Sequence, residues 1–545
     1  MIADTAQLTS GSDLHADVCI VGGGVAGLIL AKELVVRGRR VTILESGDRS
    51  ANLLAQSLNH GDNVGYPYYP LDLVRERRLG GTSLRWGIDL GDGREGVRLR
   101  PLDPIDFEAR PEIPHSGWPF GLSELEPYYR RAHPYFGLET HDYRPETWQR
   151  PGSHETFPLE GTVAETTLFQ FGDPSKIHES LRRELEADER VEIVLNATAL
   201  ELGLSETGDR IERIRLADPN KREGSVLARD VVLATGGIEA PRLLLLSNRQ
   251  QPEGLGNRHD LVGRYFMEHP HFLSGTLVPD RAELFRKSAL YAYHRSGNTD
   301  LLGYLKLRES TIREHGLLNY CVSLWPRCSL DECSRDSFLC SQAYAALRRI
   351  RSAIHIGERP GCLRKQLSHL ARQSNELLLH FFNKVTPPRP AASNGPPVAF
   401  QLHHMSEQAP APESRVTLSD ERDRYGQRRV RLDWRLSELD LKTIRRSQEL
   451  LDQALRQSGV GHLKMERLDQ GIPPGITGGL HHMGTTRMHA DPRRGVVDAD
   501  CTVHGIANLH VAGSSVFPTS GCANPTLTIA ALAIRLADHL KHPRS

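Results

Sequence analysis

Long apolar runs are missing from this chain. No stretch approaches the roughly 18 consecutive apolar residues that a membrane-spanning helix needs, so none is expected. An excess of one charge is missing too: Lys+Arg and Asp+Glu stand at 68 each, which removes the field that would recruit nucleic acid or an anionic membrane. Cysteine is sparse, with eight in 545 residues and no dense framework, and Cys19 falls inside an apolar strand pattern. That usage predicts free thiols in a reducing compartment. The segment from Met1 to Ala16 is polar, carries acids and lacks the look of a targeting signal, so a cytoplasmic location is expected.

What is present is the composition of a folded protein, 39% apolar and 25% charged. At about 150 residues per domain the length corresponds to three to four domain equivalents, enough to bury a core without disulfides or a structural metal. The 48 glycines and 33 prolines suit an α/β enzyme with many working loops.

The first motif follows a short strand pattern, Asp17-Val-Cys-Ile-Val21. It runs into Gly22-Gly-Gly24-Val25-Ala26-Gly27, then a helical run from Leu28 to Arg37, then a second strand from Arg39 to Leu44 ending at Glu45 and Ser46. Strand, glycine turn, helix and strand with a terminal acid is the context of a dinucleotide fingerprint. Gly22 permits the tight turn, Gly24 lets a pyrophosphate approach the backbone, and Gly27 lets the helix pack closely. Glu45 can accept hydrogen bonds from a ribose, and its charge disfavours a 2′-phosphate.

Further blocks lie downstream. Arg78-Leu-Gly80-Gly81-Thr82-Ser83-Leu-Arg85-Trp86-Gly87 is dense in glycine and small hydroxyls, as expected of backbone lying against a flat or phosphorylated ligand. Asp106 to Gly137 reads as helical around a turn at Gly117, with an amphipathic segment from Leu122 to Tyr135. Strand patterns at Val191 to Leu195 and Ile211 to Leu216 lead to Asp230-Val-Val-Leu-Ala234-Thr235-Gly236-Gly237 and a helical run from Ile238 to Ser247. Between about 272 and 470 strand-like stretches such as Phe272 to Val278 and Leu301 to Leu307 alternate with basic helical patterns at Asp336 to Arg351 and Arg364 to Lys384. Thr417 to Leu432 reads as a hairpin broken at Asp420 to Gly426.

The tail carries the most chemistry. Gly478-Gly-Leu-His481-His482-Met-Gly-Thr-Thr-Arg487-Met488 precedes an expected strand around Gly495 to Asp498, and a further strand ends at Gly513 and Ser514. Asn524-Pro525-Thr526 then launches an apolar helix through Leu540, whose dipole stabilises negative charge at Pro525 and Thr526. A core alone does not explain so much Gly, Thr, Asn and His beside a long helix.

In their order these blocks resemble the glucose–methanol–choline (GMC) type FAD oxidoreductases, from about Ala16 to Leu540. Val262-Gly-Arg-Tyr-Phe-Met-Glu-His269-Pro and Glu413-Ser-Arg-Val-Thr417 resemble further turns of that family. The tail is nearest in motif to pyranose oxidases, sugar dehydrogenases and enzymes that oxidise aminoglycoside hydroxyls. The resemblance implies an α/β fold: a Rossmann-like FAD domain assembled from 1–110, 190–271 and 472–545, with 111–189 and 272–471 forming a substrate domain on a largely antiparallel sheet that covers the isoalloxazine side. It implies FAD contacts at Gly22, Gly24, Val25, Ala26, Gly27, Glu45 and Ser46; at Arg78, Gly80, Gly81, Thr82, Ser83, Trp86 and Gly87; and at Ala199, Ala234, Thr235 and Gly236. Gly513, Ser514, Asn524, Pro525 and Thr526 complete that set.

The family's paired catalytic residues fall on His481 and Asn524. His481 takes the position of the base that removes the substrate hydroxyl proton while hydride passes to flavin N5, and Asn524 holds the same oxygen. His482 is expected to support the loop from its other side. Where some relatives attach flavin to a histidine, this chain has Arg85, a poor nucleophile, so the FAD is expected to be non-covalent; Arg85 lies near the flavin or makes an ion pair.

Cys321, Cys328, Cys333 and Cys340 lack a close Cys-x-x-Cys pair, so no metal is expected. The acids Glu268, Glu407 and Asp433 are candidates for holding an amino sugar. Oxygen, a quinone or another redox partner remains open as acceptor, and a homo-oligomer is compatible with the chain. Competing readings are a flavin-containing lyase without net redox, a non-catalytic FAD-binding protein, and an NAD-dependent dehydrogenase that leaves the tail unexplained.

Overall fold

The computed structural model describes residues 2–4, 13–90, 93–327, 367, 399–465 and 476–540. Its first sheet has eight strands. Ile2–Asp4, Val191–Leu195, Val41–Leu44, Asp13–Val21 and Glu223–Leu233 lie side by side in parallel, and Ile211–Ala217 and Thr198–Leu204 extend the edge in antiparallel fashion. Leu509–Val511, nearly 300 residues downstream in the chain, also pairs in parallel with Glu223–Leu233, in register Val231↔Leu509 to Leu233↔Val511. The tail thus returns to the sheet begun by the first motif.

The glycine turn leads into helix Val25–Val36, which is apolar on nearly all sides and buried at nine positions. Such a helix needs cover on more than one face. The C-terminal helix Thr526–His539 supplies it and is in turn packed by Leu122–Ala132. Gly22 adopts φ +110°, and a Cβ on Gly27 would come within 2.2 Å of the Gly22 carbonyl, so helix and turn meet at a distance that only glycine allows.

The second sheet is antiparallel. Its order is Gly461–Lys464, Pro270–Pro279, Ala399–Ser406, Tyr320–Arg327, Thr299–Leu307, Ala164–Gly172, Glu95–Leu99 and Ile88–Asp89. Ile88–Asp89 and Glu95–Leu99 therefore join this sheet, although their place in the chain falls within the segment 1–110; the register Val97↔Gly172 to Leu99↔Gln170 sets them there. A small third sheet pairs the hairpin Arg415–Arg422 and Arg428–Asp433 with Gly61–Asn63.

Two expectations of local structure change. The strand expected at Gly495 to Asp498 is reduced to isolated bridges, Val497 to Met488 and to Val503, because the chain turns at Asp491 to Gly495 and again at Asp498 to Cys501. The stretch from Asp106 to Gly137 is helical only at Pro104–Phe107, Leu122–Ala132 and His133–Phe136, with the segment between the first two held by turns such as Ile113 N–H to Arg110 O. The helical patterns at Asp336 to Arg351 and Arg364 to Lys384 lie outside the described residues but for Leu367, as do Cys328, Cys333 and Cys340. Among the described residues no helix is long and apolar enough to cross a membrane.

Candidate active site

A deep cavity opens at the carboxyl ends of the parallel strands, where open α/β sheets place their ligands. Its walls come from the ends of four strands: Val21 to Ala26, Leu44 to Ser46, Ala234 to Glu239, and Ala512 to Ser514. Gly81, Thr82, Ser83, Trp86, Ala199 and Pro525 complete the part of the lining that the motifs anticipated.

Six expected contacts do not line it. Gly27 lies behind the turn against Gly22. Gly80 spends its N–H on the Gly23 carbonyl at 2.8 Å, Arg78 pairs with Glu76 at 3.4 Å, and Gly87 is turned toward Glu95. Asn524 and Thr526 sit beyond the cavity wall, Asn524 against His481.

The residues present fit a dinucleotide. Added Cβ atoms on Gly24, Gly236 and Gly513 would meet no protein atom, so these glycines leave room over the strand ends. Helix Val25–Val36 starts at Gly24 with no side-chain cap and no acid in its first turn, leaving its end amides for an anion. The Glu45 carboxylate accepts from Gly23 N–H at 3.0 Å and Gly47 N–H at 2.8 Å, which fixes it at the end of its strand. Burial pushes its pKa up, and those two bonds oppose the shift.

Sequence patterns missed a charged group beside this cavity. Arg75, Arg77 and Arg242 converge on Glu239, with Arg77 at 2.7 Å and Arg242 at 3.1 Å, and Arg77 also donates to the Ser46 hydroxyl at 2.9 Å. The three arginine charges hold the Glu239 carboxyl well below the usual range despite its burial. The run Arg75-Glu-Arg-Arg78 was the available signal, but only the fold brings Glu239 to it. Arg85 proves to be largely exposed, pairing with Glu76 and donating to the Leu73 carbonyl at 2.9 Å, so of its two expected placements the ion pair is the one found.

At the seam between the two large sheets lies a cluster of histidines. His481 contacts Nδ1 of His269 through its own Nδ1 at 2.9 Å and Nδ2 of Asn524 through its Nε2 at 3.0 Å. The proton positions follow from one carbonyl. His269 Nε2 lies 3.3 Å from the Ser520 oxygen, which can only accept, so His269 carries its proton on Nε2. Its Nδ1 is then a lone pair that receives the His481 Nδ1–H. His481 is left with an unprotonated Nε2, to which Asn524 donates.

Burial keeps both rings neutral: it lowers His269 to about 4 and His481 well below its ordinary value. His271 stands edge-on to His481, 5.8 Å between ring centres, and is also held neutral by burial. Nitrogens of these three rings lie within 4.8 Å of one another, a spacing at which a metal ion could be held.

Glu268 sits beneath this cluster, fully buried. Its carboxylate accepts the backbone N–H of His481 at 2.8 Å, the backbone N–H of His269 at 3.2 Å and the Tyr68 hydroxyl. Burial raises it to about 7, against those hydrogen bonds. His482 turns away from His481, meets the Tyr68 hydroxyl at 2.9 Å, and is lowered to about 3 by burial. None of the three candidate acids lines the cavity: Glu268 braces the histidine loop, Glu407 pairs with Arg110 at 2.6 Å in the core, and Asp433 pairs with Arg435 at 2.8 Å.

Comparison with known proteins agrees with this geometry. A family model described as FAD dependent oxidoreductase matches residues 17–261, and one described as GMC oxidoreductase matches residues 410–533. The chain is 24% identical to the fructose dehydrogenase large subunit of Gluconobacter japonicus, across 97% of this chain and 98% of that one. It is also 24% identical to the 6'''-hydroxyparomomycin C oxidase of Streptomyces lividus, across 97% and 92%. The crystal structure of pyridoxine 4-oxidase from Mesorbium loti shares the fold, with a TM-score of 0.51 at 16% identity over 96% of this chain and 99% of that one. The chain is an FAD-dependent enzyme of the GMC oxidoreductase type.

Proposed function

We propose that the enzyme oxidises a hydroxyl of a sugar, amino sugar or hydroxylated natural product to the carbonyl, with His481 as base and Asn524 as its partner. The observation that carries this reading is the unprotonated Nε2 of His481, which faces the Asn524 amide at 3.0 Å and is backed by His269. An imidazole nitrogen so placed accepts the hydroxyl proton, and the amide N–H steadies the oxygen as charge develops on it. FAD, when bound, supplies the two-electron acceptor for the hydride. Both named relatives act, by their names, on sugars or sugar-like molecules, one as a dehydrogenase and the other as an oxidase. The acceptor is therefore oxygen, a quinone or another redox partner.

The cofactor is held non-covalently. Arg85, at the position where some family members attach flavin to histidine, points into an ion pair with Glu76. Acid precipitation is expected to release all the yellow colour to the supernatant.

The test of the reaction is an anaerobic absorbance scan of the flavoprotein with sugars, amino sugars and simple alcohols in turn. Loss of the flavin band with one class supports the reading, and readmitted air then tests oxygen as acceptor. A flavin that no hydroxylated compound bleaches would sink it.

A further inference from the structure

The second sheet turns one face toward His481, and the strand register states which side chains share it. Directly paired residues in an antiparallel sheet lie on the same face, and faces alternate along each strand. Arg98 pairs with Phe171, Tyr304 with Thr167, and Ser323 with His403, while His271 lies two residues from Leu273, the partner of His403. Arg98, Phe169, Tyr304, Ser323, His403 and His271 therefore form one continuous face, and His271 abuts His481.

This face holds buried polar atoms with no hydrogen-bond partner: Nε of Arg98, the hydroxyl of Tyr304 and Nε2 of His271. Oδ1 of Asn524, across from it, is in the same condition. Such groups are costly to bury, and several of them together on the face that meets His481 mark where a polar ligand binds.

Arg98 sets the sign of that ligand. Arg100, just past the end of that strand, is matched by Asp103, and Lys306 lies 3.0 Å from the same carboxylate. Arg98 has no Asp or Glu within ion-pair distance among the described residues. Its guanidinium lies 5.5 Å over the ring of Tyr304 and 5.9 Å over that of Phe169. Burial opposes its charge, but the phenols of Tyr304 and Tyr293 outweigh that, so it stays a cation. The charge reaches the reacting site, where it helps keep His271 and His481 unprotonated.

We propose that Arg98 and Tyr304 bind a carboxylate on the substrate, so that the molecule oxidised at His481 is a hydroxy acid of the sugar-acid class. This rests on the hydroxyl-oxidation reading above and narrows it. The guanidinium donates from a planar fork that suits a carboxylate, and the phenol donates beside it. An ammonium group would meet the uncompensated charge of Arg98, which disfavours an amino sugar.

The test uses the holoenzyme and two readouts. In anaerobic flavin reduction, glucuronate or gluconate should exceed glucose and glucosamine in kcat/KM by about tenfold or more. Arg98→Gln should cut the rate constant for the acids by about 10- to 100-fold and that for glucose by far less, with Arg98→Lys in between. Cyclohexanecarboxylate, which has no hydroxyl to oxidise, should perturb the flavin spectrum of the wild-type protein and not of Arg98→Gln. Tyr304→Phe keeps the ring and its packing and serves as second variant if Arg98→Gln does not fold.

A wild-type enzyme that prefers neutral sugars overturns the proposal. So does a variant that loses acids and neutral sugars equally, or one that binds cyclohexanecarboxylate as the wild type does. Failure of the hydroxyl-oxidation reading looks different: no hydroxylated compound bleaches the flavin, while cyclohexanecarboxylate still reports on Arg98.

Discussion

His481 and Asn524, 43 residues apart in the chain, meet at 3.0 Å with the amide nitrogen of one on the bare ring nitrogen of the other. The histidine lies on a loop braced by Glu268, and the asparagine stands just ahead of the buried helix Thr526–His539. Each is held by a different part of the molecule, so their meeting depends on the tail docking onto the first sheet.

The base should work at lower pH than an ordinary histidine. His481 acts when unprotonated, and burial lowers its pKa well below 6.5. As pH falls through 6.5 it stays unprotonated, so kcat/KM for flavin reduction should hold level there and decline only at lower pH. A decline centred at or above 6.5 contradicts the assignment. His481→Ala should reduce the rate of anaerobic flavin reduction by about 10²- to 10⁴-fold with FAD content unchanged.

His269 keeps the proton of His481 on Nδ1. His269→Leu removes the acceptor and strands a buried N–H, which should slow flavin reduction by about tenfold or more. His269→Gln retains an acceptor and should recover part of the loss. Stopped-flow reduction checks both variants, and equal rates in the two would show that only the volume of the ring matters.

Two glycines of the same turn should fail in different ways. A Cβ on Gly22 would lie 2.6 Å from the Ala234 carbonyl at a positive φ, so Gly22→Ala should destabilise the apoprotein by about 1–3 kcal/mol or more. A Cβ on Gly24 would meet no protein atom. Gly24→Ala should therefore melt like the wild type without cofactor and yet bind FAD weakly. Thermal melts of both apoproteins, followed by FAD titration, separate the cases.

Away from the site, Asp103 holds two buried cations, pairing with Arg100 and with Lys306, the latter at 3.0 Å. Those charges hold its carboxyl far below the usual range against a large burial penalty. Asp103→Ala leaves Arg100 uncompensated and Lys306 with Glu165 alone, at 3.3 Å, and should cost about 3–5 kcal/mol, read as a lower denaturant midpoint. A midpoint within error of the wild type would show that water reaches the pair.

Local spacing alone determined a good deal of this protein. The glycine turn between Val21 and Val25, the strand ending at Glu45, the long helix after Pro525 and the hairpin broken at Asp420 to Gly426 all follow from short-range sterics and periodicity, and each has its counterpart in the fold. The motif blocks likewise contain most of the residues that line the cavity, because a glycine needed for close approach has few substitutes.

Only tertiary structure decided the rest. Strand Leu509–Val511 is three residues long and gains its place from a neighbour laid down far earlier in the chain. The convergence of Arg75, Arg77 and Arg242 on Glu239 and the proton order of the histidine pair set by the Ser520 carbonyl depend on partners that no periodicity brings together. The isolation of Arg98, two residues from an arginine that pairs with Asp103 three positions on, likewise follows from what the sheet places around it. Hydrogen bonds and ion pairs act over a few ångströms in space, and the sequence orders its residues along the chain alone.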